Sequence, residues 1–209
     1  IDHIGYFLFP QMTVLRIIGR LAYPIFAYMI AEGCRYTRNK VRYLCTVLAI
    51  AGVCSAVRYF AERSLYQSIF TTFFCAMILI FALHAAKKTA ERARKIFCGI
   101  CVTVLVFLYF AVFQLRMIPG LETDYGFLGI ITPVLVWLGR SKAEKLAGLT
   151  IGLCLLSVEF GMVQFFSLAA VILLYFYNGE RGNHRLKWAF YTYYPLHIAV
   201  LYGISQIVG

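Results

Sequence analysis

The chain has 209 residues, of which 62% are hydrophobic, and its formal net charge is +11. Soluble domains average about 45–50% apolar residues, so this composition excludes an ordinary soluble enzyme and indicates a polytopic membrane protein. The cations lie in short segments between apolar runs, which is typical of membrane proteins and gives no reason to expect nucleic-acid binding. No polar stretch approaches the lower limit of about 50 residues for a soluble domain, so residues 1–209 are expected to form one transmembrane domain.

Nine apolar segments follow one another along the chain and predict an all-α, polytopic helical membrane protein with about eight or nine transmembrane helices. Their predicted ranges are about 1–9, 14–36, 43–60, 65–86, 96–115, 125–138, 147–158, 162–177 and 188–207. The seventh and eighth are short for a hydrocarbon core of about 30 Å. A re-entrant hairpin at that point is therefore an alternative, and it would leave eight or fewer full spans.

Basic connections alternate with nearly neutral ones along the chain. The connections after the second, fourth, sixth and eighth predicted helices are basic, and Lys and Arg are enriched in the cytoplasmic loops of membrane proteins. We therefore expect a multi-pass membrane protein with its basic loops in the cytoplasm. The seven cysteines are scattered through apolar segments, so neither a disulfide framework nor a metal site is expected.

The second predicted helix carries charges inside an apolar run. Arg16 and Arg20 lie one turn apart, and Glu32 follows toward the other end. A charge at the centre of a spanning helix costs about 2.5–3.5 kcal/mol on insertion scales, so such residues usually mark a polar site. Pro24 has no N–H for the Arg20 carbonyl, which places a polar backbone group beside this cation. The alternative is that both arginines extend to the membrane surface.

Four polar side chains from three predicted helices lie at a similar depth. At the rise of an α-helix, His197 lies about 14 Å into the last helix, near the membrane midplane, and Asp2 and His3 lie about 10 Å below the outer surface. Arg20 is expected at a comparable depth. A His suits general-base chemistry because its unperturbed pKa is near neutral. Two structural alternatives stay open: Asp2 pairs with Arg20, and His197 is a hydrogen-bonded packing residue.

Two further polar clusters lie nearer the membrane surfaces. Residues 124–126 begin the sixth predicted helix from the outer side, where Asp124 either caps the helix or belongs to a site. Residues 178–182 form a Gly-rich turn on the cytoplasmic side. This turn either carries ordinary positive-inside charge or binds phosphate through Arg181 and turn amides.

Seven blocks spread along the whole chain resemble the signature blocks of the TraX family. They are Asp2-His3-Ile4-Gly5, Gly19-Arg20-Leu21-Ala22-Tyr23-Pro24-Ile25-Phe26-Ala27, Ala31-Glu32-Gly33, Arg35-Tyr36-Thr37-Arg38-Asn39, Asp124-Tyr125-Gly126, Tyr177-Asn178-Gly179-Glu180-Arg181-Gly182 and Tyr194-Pro195-Leu196-His197. That family is associated with N-acetylation of conjugative pilin and is thought to be related to the integral-membrane acyltransferases that use cytosolic acetyl-CoA.

The resemblance implies a membrane-embedded acetyltransferase that moves an acetyl group from cytosolic acetyl-CoA to an amine or hydroxyl, such as a pilin N-terminus or a cell-surface component. Its expected location is the bacterial cytoplasmic (inner) membrane, and its expected partners are membrane lipid and a peptide or small-molecule acceptor. The expected catalytic residues are Asp2, His3, Arg20 and His197; the expected acetyl-CoA-binding residues are Arg16, Arg35, Arg38, Lys40, Asn178, Arg181 and Tyr194; the expected acceptor-binding residues are Glu32, Asp124 and Tyr125. The alternatives are a non-enzymatic carrier or proton relay, and a structural subunit of a conjugation or secretion apparatus.

Overall fold

The computed structural model describes residues 4–5, 9, 11–180, 193, 196–197, 200–201 and 203–204. Across these residues the regular structure is helical, and the extended pairing they contain is an isolated parallel bridge between Gln67 and Thr123. The predicted all-α class is confirmed for this part of the chain.

The helices follow one another with short connections. In chain order they are α1 Thr13–Gly19, α2 Ala22–Tyr36, α3 Lys40–Glu62, α4 Ile69–Lys88, α5 Arg92–Tyr109, α6 Gly126–Leu138, α7 Lys142–Phe160, α8 Met162–Phe165 and α9 Ala169–Tyr175. A π-helical turn, Phe110–Gln114, extends α5, and a 3-10 turn, Phe166–Leu168, joins α8 to α9.

Several helical segments have the length and composition to cross a membrane. Within the described ranges there are four of them: Thr13–Tyr36, Lys40–Phe60, Ile69–Lys88 and Arg92–Gln114. Gly126–Leu138 and Met162–Tyr175 are apolar but shorter. A protein with several membrane-spanning helices is thus supported, whereas the total of eight or nine spans stays a prediction.

The second predicted helix, at about 14–36, is divided into α1 and α2 at Arg20 and Leu21. Both residues donate backbone hydrogen bonds to the residue three positions earlier, as in a 3-10 turn. The bonds run from Arg20 N to Ile17 O and from Leu21 N to Ile18 O, and each is 3.2 Å long. Pro24 has no N–H to donate to the Arg20 carbonyl, and its ring crowds that carbonyl. The chain therefore tightens locally into a turn, and this turn holds Arg20 between two helices.

The predicted boundaries of the seventh helix, about 147–158, are wrong at its start. Helix α7 begins five residues earlier, at Lys142, because Ser141 and Glu144 form a capping box. The Ser141 hydroxyl accepts from the Glu144 N–H at 3.2 Å, and the Glu144 carboxylate accepts from the Arg140 N–H at 2.9 Å. With 19 residues, α7 is about 28 Å long, so shortness of this helix no longer argues for a re-entrant hairpin.

Helices α6 and α7 approach closely because glycines line their contact. A Cβ atom on Gly148 would lie 2.6 Å from the Leu135 carbonyl oxygen, and one on Gly152 would lie 2.5 Å from the Thr132 hydroxyl. This spacing of small residues lets helix backbones meet in membranes. The buried core combines α2, α4, α6 and α7. Helix α5 packs on α4 at the edge of the bundle, and only 6% of its most apolar stretch is buried.

The helix ends form two polar layers at opposite ends of the bundle. At one end, Arg35 of α2 donates to the Gly139 carbonyl after α6, and Lys87 of α4 lies 4.9 Å from the Trp137 ring centroid. At the other end, Thr72 at the start of α4 donates to the Asp124 carbonyl before α6 at 2.7 Å. We call these layers the basic end and the Asp124 end.

Candidate functional site

Arg20 and Tyr125 lie far apart in the sequence but meet near the Asp124 end. Arg20 Nη1 donates to the Tyr125 hydroxyl at 3.2 Å, and the guanidinium carbon lies 5.8 Å from the Tyr125 ring centroid. The Tyr23 ring stacks on the same ring with a centroid distance of 4.1 Å. We call Arg20, Tyr23 and Tyr125 the Arg20 cluster; it joins one predicted catalytic residue to one predicted acceptor-binding residue.

The backbone at the start of α6 holds Tyr125 in this position. Tyr125 has a φ of 65°, in the left-handed region, and Gly126 follows with a φ of 53°. This conformation costs an ordinary L-residue roughly 1–2 kcal/mol. A Cβ atom on Gly129 would lie 2.5 Å from the Tyr125 Cβ, so glycine is needed there. Strained residues that persist in a fold are frequent at functional sites.

Asp124 is fixed by hydrogen bonds from neighbouring segments rather than acting as the cap of α6. The N-cap position is Tyr125, without a side-chain cap. The Tyr66 hydroxyl donates to Asp124 Oδ1 at 2.9 Å, and the Arg58 guanidinium lies 4.8 Å from the Tyr66 ring centroid. Burial first, and then the Asp124 carboxylate, raise the pKa of Tyr66 well above its ordinary value, so this phenol stays a proton donor.

The basic end contains a cavity of about 250 Å³. Its lining residues, which we call the Glu32 pocket, are Tyr28, Glu32, Tyr36, Lys142, Lys145, Tyr177, Asn178 and Gly179. Lys145 Nζ lies 2.8 Å from Glu32 Oε1, and Arg35 Nε lies 3.8 Å from the same oxygen. The side chains of Lys145 and Glu32 are only 10% and 17% exposed, so this is a largely desolvated ion pair.

The turn after α9 closes one side of the Glu32 pocket. Lys142 Nζ donates to the carbonyls of Tyr175 and Tyr177, at 2.5 and 2.7 Å. Asn178 Oδ1 accepts from the Glu180 N–H at 3.0 Å, a side-chain turn typical of Asn. Lys142 therefore ties the backbone just before Asn178 to α7, and Asn178 lines the same pocket as Glu32.

Three other predicted acetyl-CoA-binding residues, Arg35, Arg38 and Lys40, lie at the basic end. Arg35 Nη2 donates to the carbonyls of Trp137 and Gly139, at 2.5 and 2.6 Å, and so satisfies the C-terminal end of α6. Arg38 is exposed, and Lys40 Nζ lies 5.5 Å from the Phe81 ring centroid. These cations are at the basic end.

Arg16 lies apart from the cations of the basic end. It is on α1, about 28 Å from Arg35 at the rise of an α-helix, so Arg16 and Arg35 cannot hold the same phosphate. A Cβ atom on Gly5 would lie 3.4 Å from Arg16 Cδ. Arg16 is therefore placed toward the Asp124 end, with Arg20.

His197 contacts Tyr193, which lies one helical turn before it. The two rings stack with centroids 4.8 Å apart, and His197 Nδ1 lies 3.0 Å from the Tyr193 carbonyl oxygen. When Nδ1 carries the proton that this carbonyl accepts, the basic lone pair is on Nε2. Asp2, His3, Arg181 and Tyr194 lie outside the described residues. The four-residue catalytic site of Asp2, His3, Arg20 and His197 stays a prediction.

Lys142 and Lys145 are candidate site residues that the sequence-based reasoning missed, because it placed them in a loop. The signal that could have found them is Ser141-x-x-Glu144, the pattern of a capping box. In a helix that starts at this box, Lys145 lies within the first turn rather than in the preceding loop. The acidic partner of Lys145 could not be identified in this way, because Glu32 lies on a different helix.

The chain is similar over most of its length to a known protein family and to two known proteins. A family model described as TraX protein matches residues 1–205. A probable fimbrial assembly protein FimC, serogroup H1, of Dichelobacter nodosus is 26% identical over 207 residues, covering 90% of this chain and 81% of that protein. An uncharacterized protein of Rickettsia prowazekii (strain Madrid E) is 26% identical over 147 residues, covering 70% of this chain and 53% of that protein. No solved structure matches the chain.

Proposed function

Because the chain belongs to the TraX family, we propose that it is a membrane-embedded acetyltransferase that uses cytosolic acetyl-CoA as acyl donor. The resemblance noted in the sequence blocks implies this reaction, and the family match supports the resemblance. The acceptor is an amine or hydroxyl on a pilin or fimbrial subunit, or on another cell-surface component. The name of the Dichelobacter nodosus relative, a fimbrial assembly protein, favours a fimbrial acceptor.

The observation that supports this proposal most is the Glu32 pocket at the basic end. Its size of about 250 Å³ fits part of a ligand rather than a whole nucleotide, since drug-sized sites are about 300–1,000 Å³. Phenol, amide and ammonium groups line it, and these can bind the amides and the thioester carbonyl of an acyl-pantetheine arm. Exposed cations such as Arg38 and Arg140 at the same end would attract the phosphates.

The chemistry requires an amine to attack the thioester carbonyl. A new C–N bond forms, the C–S bond breaks, the amine proton passes to a base, and the thiolate of coenzyme A leaves. His3 or His197 is the proposed base, and Arg20 is the proposed donor to the carbonyl oxygen as negative charge develops on it. Tyr125 would hold the guanidinium in place, since its hydroxyl accepts from Arg20 at 3.2 Å.

The reaction would connect the two ends of the bundle. Glu32 and Arg20 lie about 18 Å apart along α2 and the preceding turn. Acetyl-CoA would enter at the basic end, and its acyl group would be transferred nearer the Asp124 end. Asp2 is proposed to orient His3, its neighbour in the sequence; the alternative is the structural pair with Arg20 described above.

The test is binding and turnover of radiolabelled acetyl-CoA by the purified full chain in detergent. Lys142→Gln removes the two bonds that close the Glu32 pocket, and we expect about tenfold weaker binding, the loss of roughly 1.4 kcal/mol. Arg94→Gln is the matched control, because Arg94 is an exposed cation at the start of α5 that pairs at 3.6 Å with Glu91, the residue before this helix. Because His3 or His197 is the proposed base, at least one of the variants His3→Ala and His197→Ala should abolish transfer while binding and the unfolding temperature persist. Absence of acetyl-CoA binding to the wild-type protein would contradict the proposal.

A structural role in fimbrial assembly is a second candidate, and the name of the Dichelobacter nodosus relative favours it. Mass spectrometry of cell-surface proteins distinguishes the two functions. If the protein is an acetyltransferase, cells that carry the His3→Ala variant should retain the protein in the membrane but lose an acetyl group from a surface component. An assembly subunit predicts unchanged acetylation in those cells, and so does a carrier or proton relay.

A further inference from the structure

Two neighbouring polar side chains are fully buried in an apolar part of the bundle. Gln164 on α8 is 1% exposed and Ser167 in the following 3-10 turn is 0% exposed. Within the described part of the chain, the Gln164 amide nitrogen and oxygen and the Ser167 hydroxyl have no hydrogen-bond partner. Native proteins rarely leave buried polar groups unmatched, and each exception calls for an explanation such as a ligand or an ordered water.

The surroundings of these two residues connect them to the Arg20 cluster. The segment that contains them, α8 with its 3-10 turn, packs against α1 and α2 on either side of the turn at Arg20. The segment starts just after Phe160, whose ring contacts the Tyr125 ring at a centroid distance of 6.1 Å. Gln164 and Ser167 are three residues apart, a spacing that places side chains on the same face of a helix. They therefore lie near the Asp124 end, beside the helix that leads to Arg20.

We propose that Gln164 and Ser167 form a binding site for a neutral secondary amide. A glutamine carboxamide offers two N–H donors and one acceptor, and a serine hydroxyl both donates and accepts. A trans secondary amide presents its N–H and its carbonyl on opposite sides, so the Gln164 carboxamide can donate to the carbonyl of one amide and accept from the N–H of the next, and the Ser167 hydroxyl can make a further bond. An anion would leave the Gln164 carbonyl facing negative charge, and a hydrocarbon would leave all three polar atoms without a hydrogen bond.

This inference deepens the proposed function and rests on it for the identity of the ligand. Two participants of the proposed reaction carry secondary amides: the backbone of a peptide acceptor and the pantetheine arm of acetyl-CoA. Both would have to approach Arg20 for transfer. The shared chemistry is the amide, and binding measurements with one soluble probe for each source distinguish the two.

The experiment measures binding by saturation-transfer NMR with the full chain in detergent micelles, without any need for turnover. The probes are N-acetylalanine methylamide for the peptide and pantetheine for the cofactor arm. The variant Gln164→Met keeps the size of the side chain but removes its hydrogen bonds. We expect at least about tenfold weaker binding of one probe, as one unmade buried hydrogen bond predicts. The probe that responds identifies the source.

The controls separate ligand binding from a structural role. Ser167→Ala is the second test variant, and Ser157→Ala is its control because the Ser157 hydroxyl donates to the Leu153 carbonyl at 2.8 Å. We expect Gln164→Met and Ser167→Ala to leave the unfolding temperature unchanged or raised, since both remove buried polar atoms. Equal binding of both probes by wild type and variants, or binding of neither probe by wild type, overturns the inference. Absence of acetyl transfer in the wild type counts against the proposed function alone.

Discussion

The Arg20 cluster and the Glu32 pocket both place charge inside a helical bundle, but they stabilise it in different ways. In the Glu32 pocket, a carboxylate and an ammonium face each other at 2.8 Å, so each needs the other. In the Arg20 cluster, a guanidinium contacts the hydroxyl and ring of Tyr125, which stacks on Tyr23. These aromatic contacts fix the position of the Arg20 guanidinium. The difference is therefore between an ion pair that stabilises the basic end and a cation that tyrosine side chains orient near the Asp124 end.

The largest effect is expected when the ion pair of the Glu32 pocket is broken. Lys145→Met leaves Glu32 as a largely buried carboxylate whose remaining salt-bridge partner, among the residues that the structure describes, is Arg35 at 3.8 Å. The free energy of unfolding should therefore fall by about 3 kcal/mol. Chemical unfolding in a mild detergent measures this. The double variant Lys145→Met/Glu32→Gln should recover part of the loss. Strictly additive losses would show that the pair does not interact and would remove the contrast between the two regions.

A smaller loss of stability is expected from Arg35→Gln. This change removes hydrogen bonds to the carbonyls of Trp137 and Gly139, and bonds to charged groups contribute roughly 1.5–3 kcal/mol each at most. We expect the unfolding free energy to fall by about 2 kcal/mol. Arg38→Gln, at an exposed position, is the matched control and should change it by less than about 0.5 kcal/mol. Equal effects of both changes would mean that Arg35 does not anchor α6.

The Arg20 cluster should respond in activity rather than in stability. Tyr125→Phe keeps the stacked ring but removes the hydroxyl that accepts from Arg20, so acetyl transfer should fall about tenfold, or 1.4 kcal/mol in transition-state stabilisation. The unfolding free energy should change by less than about 1 kcal/mol. The control is Tyr59→Phe on α3, where the ring is 44% exposed. A full rate of transfer in Tyr125→Phe would show that this hydroxyl does not position Arg20.

The smallest effect is a pH dependence at the exposed start of α7. Hydrogen bonds from the Arg140 backbone and the Ser141 side chain lower the pKa of Glu144 below its ordinary value. Because the pKa is lowered in the folded protein, the carboxylate stabilises the fold fully at any pH above the pKa of Glu in the unfolded chain, about 4.3. This stabilisation is lost as the pH falls through the lowered pKa of Glu144 in the folded protein. The difference in unfolding temperature between wild type and Glu144→Gln should therefore be present at neutral pH and disappear in acid. A difference that persists in strong acid would rule out the capping carboxylate as its source.

The apolar runs of the sequence were sufficient to predict helices, because each run is long and bounded by charged or turn-forming residues. Hydropathy also identified Arg20 and Glu32, since charges in apolar runs are conspicuous. It could not pair Arg20 with Tyr125 or Glu32 with Lys145, because partners on different helices depend on how the helices pack. The tight turn at Arg20 is local, and its cause, Pro24, was visible in the sequence.

The burial of Gln164 and Ser167 could not be predicted from the sequence. Each is a single polar residue in an apolar run, and such residues usually face a loop, a neighbour or the membrane surface. Only the packing of α8 and its following 3-10 turn against α1 and α2 shows that both side chains are buried. Ser141 and Glu144 are different, because their spacing is a recognisable signal that would have extended α7 correctly.

The central claim is that acetyl-CoA enters at the basic end and that transfer takes place nearer the Asp124 end. It is tested most directly in sealed membrane vesicles of both orientations, because the charges of acetyl-CoA prevent it from crossing a sealed membrane. Radiolabelled acetyl-CoA is added outside, and acetylation of membrane or surface acceptors is measured. The account predicts transfer in inverted vesicles, whose cytoplasmic face is outward, and none in right-side-out vesicles until they are opened. Transfer confined to right-side-out vesicles, or transfer in neither, would contradict it.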